Sequence, residues 1–188
     1  MARTFIMKRK TTKEILVESF IELSKKKEVN RITIEDIVNN CQLSPATFYR
    51  YFKDKYDLIA WEYARNFDER FHAVDGQKYT WRDYVLETVR YSWENRIYLQ
   101  NLLNNTKGYQ SYIKHVTECT LAMYRDHFIR KFGENSMDGD MEIYLRHSVY
   151  GSVHLACAWV VGEFEATPEH LTELICNCVI DPLKVFMK

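Results

Sequence analysis

Residues 32–58 read ITIEDIVNNCQLSPATFYRYFKDKYDL, and this stretch decides the fold. Thr33 is suited to cap a short helix, because its hydroxyl can accept a hydrogen bond from a backbone amide that has no partner in the first helical turn. The helix then carries apolar residues at helical spacing, namely Ile34, Ile37 and Val38. A tight turn at residues 40–43 separates it from a second short helix. The pattern predicts a helix-turn-helix.

The second helix is expected at residues 45–51. Pro45 suits its first position, where a missing N–H costs nothing and the fixed φ is already helical. Phe48 and Phe52 are four residues apart and are predicted to face the core. In a helix-turn-helix this second helix fits the major groove of DNA, while the first braces it against the backbone.

The rest of the chain also favours helices. Only six glycines and three prolines interrupt it, and apolar residues recur at spacings of three and four almost throughout. Thr11 and Glu14 form a capping box that starts the first helix, and a fourth helix begins at Asp54 and runs to Gly76. Further helices are expected near residues 80–104, 109–132, 139–165 and 168–187. The sequence predicts an all-α protein.

Three regions follow from this pattern. Residues 1–54 are predicted to form a three-helix DNA-binding domain with the helix-turn-helix, and residues 55–75 a connecting helix. Residues 76–188 are predicted to form a helical bundle that binds a ligand or partner and dimerises.

Composition and charge agree with a protein that has a basic end. The 188 residues carry 26 basic and 26 acidic side chains, but residues 1–60 hold 12 basic and 8 acidic ones, which leaves 14 and 18 for the remainder. A basic front on an acidic body is typical of a phosphate-binding head joined to a separate partner surface, and also of a merely solvated imbalance. No apolar run approaches the roughly 20 residues of a membrane span, and no signal peptide is evident. We therefore expect a cytoplasmic protein with no membrane partner.

The quoted segment resembles the TetR family of regulators. The elements T.E.IV..C.LS..TFYRYFKDKYDL match that family's cap, helix, turn and T-[LF]-Y-x-[HY]-F-x-x-K-x-x-L pattern over roughly residues 12–63. Gln42 stands where the family usually has glycine, which predicts a strained or altered turn. The stretches ENRIYLQNLLN at 94–104 and YGSVHLACAWVVGEFEATPEHL at 150–171 are similar to the subgroup that regulates dihydroxyacetone kinase operons.

The resemblance implies a transcriptional regulator that binds double-stranded DNA as a homodimer on a palindromic operator. Ala46 and Thr47 are expected at base edges, Tyr49, Tyr51 and Lys55 at phosphates, and Arg50 at either guanine or a phosphate. Basic residues within 1–13 form either a minor-groove arm or a solvated terminus. The complete predicted DNA-binding set is Thr33, Ser44, Pro45, Ala46, Thr47, Tyr49, Arg50, Tyr51 and Lys55.

The C-terminal region is predicted to receive the signal, from a small-molecule effector or a protein coregulator. An aromatic stripe on the fifth helix lines either a ligand pocket or an ordinary core, and its residues are Trp81, Tyr84, Tyr91 and Tyr98. The last two helices form a hairpin that is apolar on more than one side, which favours a four-helix dimer interface. The interface residues predicted there are Val153, Cys157, Val160, Val161, Leu174 and Val179.

Two other classes of protein compete with this interpretation. A dimeric protein-interaction module with weak DNA affinity fits the neutral net charge and Gln42. An enzyme is not expected, because no phosphate loop, nucleophile elbow or HExxH motif occurs. The sequence predicts no cofactor and no metal site: the cysteine pair 176 and 178 and the histidines fit core or interface positions, the histidines being His115, His127, His147 and His154.

Overall fold

A computed structural model of the protein describes residues 10–74, 77–107 and 111–185, without the side chains of Asp68 and Glu69. The described residues form α-helices and two 3-10 turns and contain no strand, so the all-α prediction is confirmed. The chain divides into two units, residues 1–59 and 60–188. The helices are α1 (Thr12–Ser24), α2 (Ile34–Asn40), α3 (Pro45–Tyr51), α4 (Lys55–His72), α5 (Trp81–Glu94), α6 (Arg96–Asn105), α7 (Tyr112–Phe132), α8 (Gly139–Val161), α9 (Pro168–Asn177) and α10 (Asp181–Lys184).

The core of the N-terminal unit is built by α1, α2, α3 and the first turn of α4. Phe48 and Phe52 are both buried in it, as their spacing predicted, together with Leu16, Phe20, Ile37 and Leu58. Burying a phenylalanine side chain stabilises a fold by roughly 1.5–3 kcal/mol. The helix-turn-helix is therefore held in place by the inner side of α3.

Side-chain caps fix where these helices begin. Thr11 and Glu14 form the expected capping box at α1, and Thr33 forms a second box with Asp36 at α2. The Ser44 hydroxyl accepts a hydrogen bond from the Thr47 amide at 3.1 Å, with Pro45 at the first position of α3. Each cap satisfies a backbone amide that has no partner within its helix, and replacing one with alanine typically costs about 1 kcal/mol.

Gln42 lies in the turn between α2 and α3. Its φ is +57°, in the left-handed region that favours glycine, so the departure from the glycine usual in this family does produce local strain. The turn nonetheless closes, because the Leu43 amide donates to the Val38 carbonyl at 2.8 Å. This is the six-residue hydrogen bond of a Schellman motif.

The C-terminal unit departs from the sequence prediction at three helix ends. The helix predicted at 80–104 is two helices, because the backbone at Asn95 (φ −103°, ψ 19°) leaves the helical region between α5 and α6. α8 ends at Val161 instead of 165, since Gly162 adopts a left-handed conformation with φ +87°. The helix predicted at 168–187 ends at Asn177, and α10 starts separately at Asp181.

The fourth helix is shorter than predicted. α4 starts at Lys55, with Asp54 accepting hydrogen bonds from the Tyr56 and Asp57 amides at 2.8 and 2.9 Å, and ends at His72. Gly76, where the prediction ended it, lies outside the described residues, as does most of the basic 1–13 segment. No described helix is both long and apolar enough to cross a membrane.

Candidate functional site

The outer side of α3 presents the predicted DNA-binding residues to solvent. Pro45, Ala46, Tyr49 and Arg50 are exposed, and Tyr49 retains 60% of its surface although Phe48 beside it retains none. At 100° per residue, positions 46, 49 and 50 share one side of a helix. Lys53, two residues past the end of α3, is also exposed and adds a second positive charge close to that end.

The polar groups on this surface are available for a ligand. Within the described residues, no side-chain hydrogen bond or ion pair involves the Arg50 guanidinium or the Tyr49 hydroxyl. The Tyr49 ring is held instead by its edge-to-face contact with Phe48, at a centroid distance of 5.7 Å. An aromatic hydroxyl and a cation fixed on a short rigid helix suit contacts to phosphates and base edges.

Thr47 and Tyr51 are less accessible than their neighbours. Both are half-buried, and the Thr47 hydroxyl lies 2.9 Å from that of Ser44, where either can donate. These two hydroxyls therefore hold the start of α3 as well as bordering its exposed side. Any base contact by Thr47 would share its hydroxyl with the cap.

Lys55 and Thr33 have structural partners inside the N-terminal unit. The Lys55 ammonium donates to the carbonyls of Val29, Asn30 and Ile32 at 2.8, 3.1 and 2.8 Å. An ammonium has three protons, so these contacts use its full donor capacity. Burial lowers the pKa of Lys55, consistent with its half-buried position. This geometry gives Lys55 the role of holding the loop before α2, which differs from the phosphate contact that the sequence predicted.

Thr33 is likewise engaged in its capping box. Its amide donates to the Asp36 carboxylate at 2.8 Å, and the Lys27 ammonium donates to the same carboxylate oxygen at 2.6 Å. These bonds, that from Lys27 foremost, lower the pKa of Asp36 to about 2. An ionised carboxylate at the start of α2 stabilises the helix through its interaction with the helix dipole, but it repels a phosphate. The Thr33 contact to DNA stays a prediction.

A cavity of about 110 Å³ lies in the C-terminal unit. It is bounded by α4, α5, α7 and α8, with further residues from α6 and α9, and no described residue that lines it carries a formal charge. Hydroxyl groups from tyrosine, serine and threonine interrupt an otherwise apolar wall. Seven aromatic residues contribute to the lining: Tyr63, Phe67, Trp81, Tyr84, Tyr91, Tyr112 and Tyr124.

Three of the four predicted ligand residues meet at this cavity. Trp81, Tyr84 and Tyr91 line it, whereas Tyr98 is fully buried and is absent from the lining. Tyr98 lies near the buried carboxyl of Glu62: burial raises its pKa well above the usual range, and the negative charge of Glu62 raises it further. Tyr98 therefore belongs to the packing behind the cavity wall.

The hydroxyl groups around the cavity are fixed by hydrogen bonds. The hydroxyls of Tyr63 on α4 and Thr120 on α7 form a hydrogen bond at 2.7 Å, in which either can donate. The Tyr91 hydroxyl donates to the Glu62 carboxylate, and Asn66 donates to the same carboxylate oxygen at 2.6 Å. Fixed hydroxyls in an aromatic wall give a pocket that is preformed and can orient a small ligand.

Comparison with known proteins identifies the family. Residues 79–181, more than half of the chain, match the family described as "Transcriptional regulator C-terminal region", and residues 21–60 match "Bacterial regulatory proteins, tetR family". The chain belongs to the TetR family. The second match spans the helix-turn-helix, so DNA binding follows from it, and TetR-family proteins are transcriptional regulators.

Two curated relatives carry the same type of description. The chain is 26% identical over 101 residues to the HTH-type dhaKLM operon transcriptional activator DhaS of Lactococcus lactis, covering 54% of each protein. It is 19% identical over 187 residues to the uncharacterized HTH-type transcriptional regulator YuxN of Bacillus subtilis, covering 93% of this chain and 64% of YuxN. The chain spans between half and two thirds of the length of these relatives.

Solved structures show that the TetR fold extends over nearly the whole chain. The dihydroxyacetone kinase operon activator DhaS aligns with a TM-score of 0.64 at 19% identity, covering 94% of this chain and 98% of its own. A TetR transcriptional regulator from Rhodococcus sp. RHA1 aligns with a TM-score of 0.62 at 14% identity, covering 93% and 97%. The similarity to DhaS agrees with the subgroup that the C-terminal sequence resembled.

The predicted dimer residues of this TetR-family chain divide into two groups. Val153, Cys157 and Val160 line the cavity, and Val179 is buried, so these four side chains are used at least partly inside the unit. Successive turns of α8 face the cavity, and the dimer contact of these four residues stays a prediction. Val161 is half-buried, and Leu174 is 43% exposed. The exposed large apolar residues of α8 and α9 are Ile143, Tyr144, Tyr150, Leu155 and Leu174.

Glu62 is the site residue that sequence reasoning missed. A signal for it was present, because Leu58, Ile59, Glu62 and Tyr63 follow the spacing of an inward helix face and only Glu62 is charged. A charged residue at a core position is costly unless hydrogen bonds or an opposite charge compensate for its burial. The cavity residues from α7, Tyr112 and Tyr124, carried no comparable local signal.

Proposed function

We propose that this TetR-family protein is a sequence-specific transcriptional regulator that binds a palindromic operator as a homodimer and is controlled by a small molecule in the C-terminal cavity. The observation that carries the DNA-binding part is the outer side of α3, where Tyr49 and Arg50 are exposed with unoccupied polar groups. The family membership supports the same role. Two such heads in one dimer would contact successive half-sites of the major groove.

Effector control is supported by the aromatic cavity. A largely apolar pocket with a few fixed hydroxyls is the usual form of a small-molecule site. This favours a small molecule over a protein coregulator as the signal. Control would require the ligand to bind the DNA-competent and DNA-incompetent states with different affinity. Helix α4 contributes residues to both units, so it is the element through which we expect the ligand to act.

Selection of bound sequences from a random duplex library tests the DNA-binding proposal. We expect the purified protein to enrich a palindrome, and Arg50→Ala to weaken or relax that motif. Arg82→Ala is the matched control, because Arg82 is an exposed arginine on α5, outside the N-terminal unit. Enrichment that is unchanged in Arg50→Ala would contradict the role of α3. No enrichment by the wild type would favour the protein-interaction alternative.

Dimerisation through α8 and α9 is supported by the exposed apolar residues on those helices. Leu155→Glu or Leu174→Glu is expected to weaken the dimer at least tenfold, because a charge would be placed in an apolar interface. Light scattering over a concentration series measures this effect. Ile97→Glu is the matched control: Ile97 is 59% exposed but lies on α6. Equal dissociation of all three variants would reject α8 and α9 as the interface.

A further inference from the structure

The cavity has a buried carboxyl directly behind its wall. Glu62 is 3% exposed, and its carboxylate accepts hydrogen bonds from the Tyr91 hydroxyl and from Asn66. Asn66 also donates to the Tyr91 hydroxyl at 3.2 Å, so the three groups form a closed cluster. No ion pair to Glu62 is formed by the residues that the structure describes. The cluster therefore holds a potential negative charge, and the cation whose charge acts on it, that of Arg65, forms no described ion pair with it.

Tyr91 connects this carboxyl to the cavity. Its hydroxyl is bound to Glu62, and its ring belongs to the lining, in edge-to-face contact with Phe67 at 5.4 Å. The charge of Glu62 also raises the pKa values of Tyr98 and Tyr112, after the larger effect of burial. Tyr112 is itself a lining residue. The negative charge of Glu62 therefore acts on two tyrosines that line the cavity, Tyr91 and Tyr112, although Glu62 itself lies behind the wall.

Burial raises the pKa of Glu62 to about 6, while the bond from Tyr91 and the charge of Arg65 act in the opposite direction. At pH 7 the carboxyl is consequently about ten to one ionised. The groups that surround it are Arg65 and Asn66 on α4, Tyr91 on α5, Tyr98 on α6 and Tyr112 on α7. Arg65 is exposed and lies over the Trp61 ring at 5.4 Å.

We propose that the cavity binds a small organic cation, of the alkylated ammonium class, held by the aromatic ring faces and by the Glu62 carboxylate behind Tyr91. Ring faces are electron-rich and attract cations, and aromatic cages are the usual binding sites for quaternary ammonium groups. A carboxylate in a medium of low dielectric constant extends this preference beyond van der Waals contact. This inference rests on the proposed effector site and names the chemical class of its ligand.

The cavity volume limits the size of this cation. The space of about 110 Å³ is of the same order as an engineered cavity of about 150 Å³ that holds one benzene molecule. The enclosed part of a ligand is therefore expected to have no more than about six non-hydrogen atoms. The trimethylammonium head of choline meets this limit, and 3,3-dimethylbutan-1-ol is the neutral isostere of choline, with carbon in place of the quaternary nitrogen.

Isothermal titration of the full chain with choline and with 3,3-dimethylbutan-1-ol tests the proposal. At pH 8 choline is expected to bind at least about tenfold more tightly than the alcohol. Glu62→Gln should reduce that preference by about tenfold while the alcohol still binds, because only the ring faces then attract the cation, and Glu94→Gln, an exposed position on α5, should leave it unchanged. Lowering the pH from 8 to 5 should weaken choline binding by about tenfold without affecting the alcohol, because Glu62 becomes protonated.

Three results would overturn the inference. These are equal affinity for the two probes, a preference for choline that is undiminished in Glu62→Gln, and no binding of choline at 10 mM. If Glu62→Gln fails to fold, the loss of choline affinity of the wild type between pH 8 and pH 5 tests the same charge, because Glu62 becomes protonated over that range. Tight binding of the alcohol alone would leave the proposed effector site standing and reject only the cationic ligand. Failure of the duplex selection would instead reject the regulator role and not the ligand class.

Discussion

The two units of this protein use aromatic side chains in opposite ways. In the N-terminal unit, Phe48 and Phe52 are buried in a small core while Tyr49 is directed into solvent. In the C-terminal unit, seven aromatic residues line an internal cavity. The first arrangement presents a rigid exterior, and the second encloses a preformed interior. The proposed DNA surface and the proposed ligand site are therefore built by separate sets of residues.

The sharpest contrast lies between two adjacent residues of α3. Phe48→Ala is expected to lower the free energy of unfolding by about 3–5 kcal/mol, because it removes a fully buried ring from the core. Tyr49→Ala should change it by less than about 0.5 kcal/mol, since most of that ring is exposed. Urea denaturation of both variants measures the difference. Similar losses for the two would mean that Tyr49 is part of the core.

Two lysines near the end of α3 give a second contrast. Lys55→Ala should lower the free energy of unfolding by about 2 kcal/mol, because it leaves the carbonyls of Val29, Asn30 and Ile32 without their ammonium donor. Lys53→Ala is the matched control and should leave stability unchanged. Thermal unfolding of the two variants distinguishes them. A stable Lys55→Ala protein with weakened DNA affinity would restore the phosphate contact predicted from sequence.

The buried carboxyl of Glu62 should make the stability of the C-terminal unit depend on pH. The pKa of Glu62 rises from 4.5 to about 6 on folding, so the folded protein binds this proton more tightly than the unfolded chain. Its contribution is complete below pH 4.5 and is lost as the pH rises through 6. As the pH rises from below 4.5 to above 6, the free energy of unfolding of the wild type should fall by about 2 kcal/mol relative to that of Glu62→Gln. Parallel stability profiles of the two proteins would show that Glu62 is not buried as described.

The smallest expected effect is in the turn of the helix-turn-helix. Gln42→Gly should stabilise the protein by about 0.5–1 kcal/mol, because glycine tolerates the positive φ without steric strain. Differential scanning calorimetry measures the shift in Tm. Asn39→Gly is the comparison, since Asn39 is exposed within α2 and the same change should destabilise it. A loss of stability in Gln42→Gly would imply that the glutamine side chain itself holds the turn.

Sequence reasoning succeeded where the deciding interactions are local. The caps at Thr11 and Thr33, the inward phenylalanines and the unusual turn at Gln42 each depend on residues within a few positions of one another. A fixed spacing is enough to specify such contacts. The helix-turn-helix could therefore be predicted with its boundaries nearly correct.

The C-terminal unit was predicted less completely because its contacts join distant parts of the chain. Tyr63 meets Thr120 and Glu62 meets Tyr91, and nothing in the local pattern pairs these residues. Helical periodicity did identify Trp81, Tyr84 and Tyr91 as one side of α5. It did not show which side of α8 faces the cavity, where Val153, Cys157 and Val160 lie.

The salt dependence of DNA affinity tests the central claim, that the outer side of α3 binds DNA. Fluorescence anisotropy would follow the wild type, Arg50→Ala and Lys53→Ala on the selected duplex at several salt concentrations, with Arg82→Ala as control. We expect affinity to fall steeply with salt for the wild type and the slope to decrease by about one for each phosphate contact removed. Arg50→Ala should also weaken discrimination between duplexes if Arg50 reads a base. Affinity and slope that are the same in all four proteins would mean that the outer side of α3 does not bind DNA.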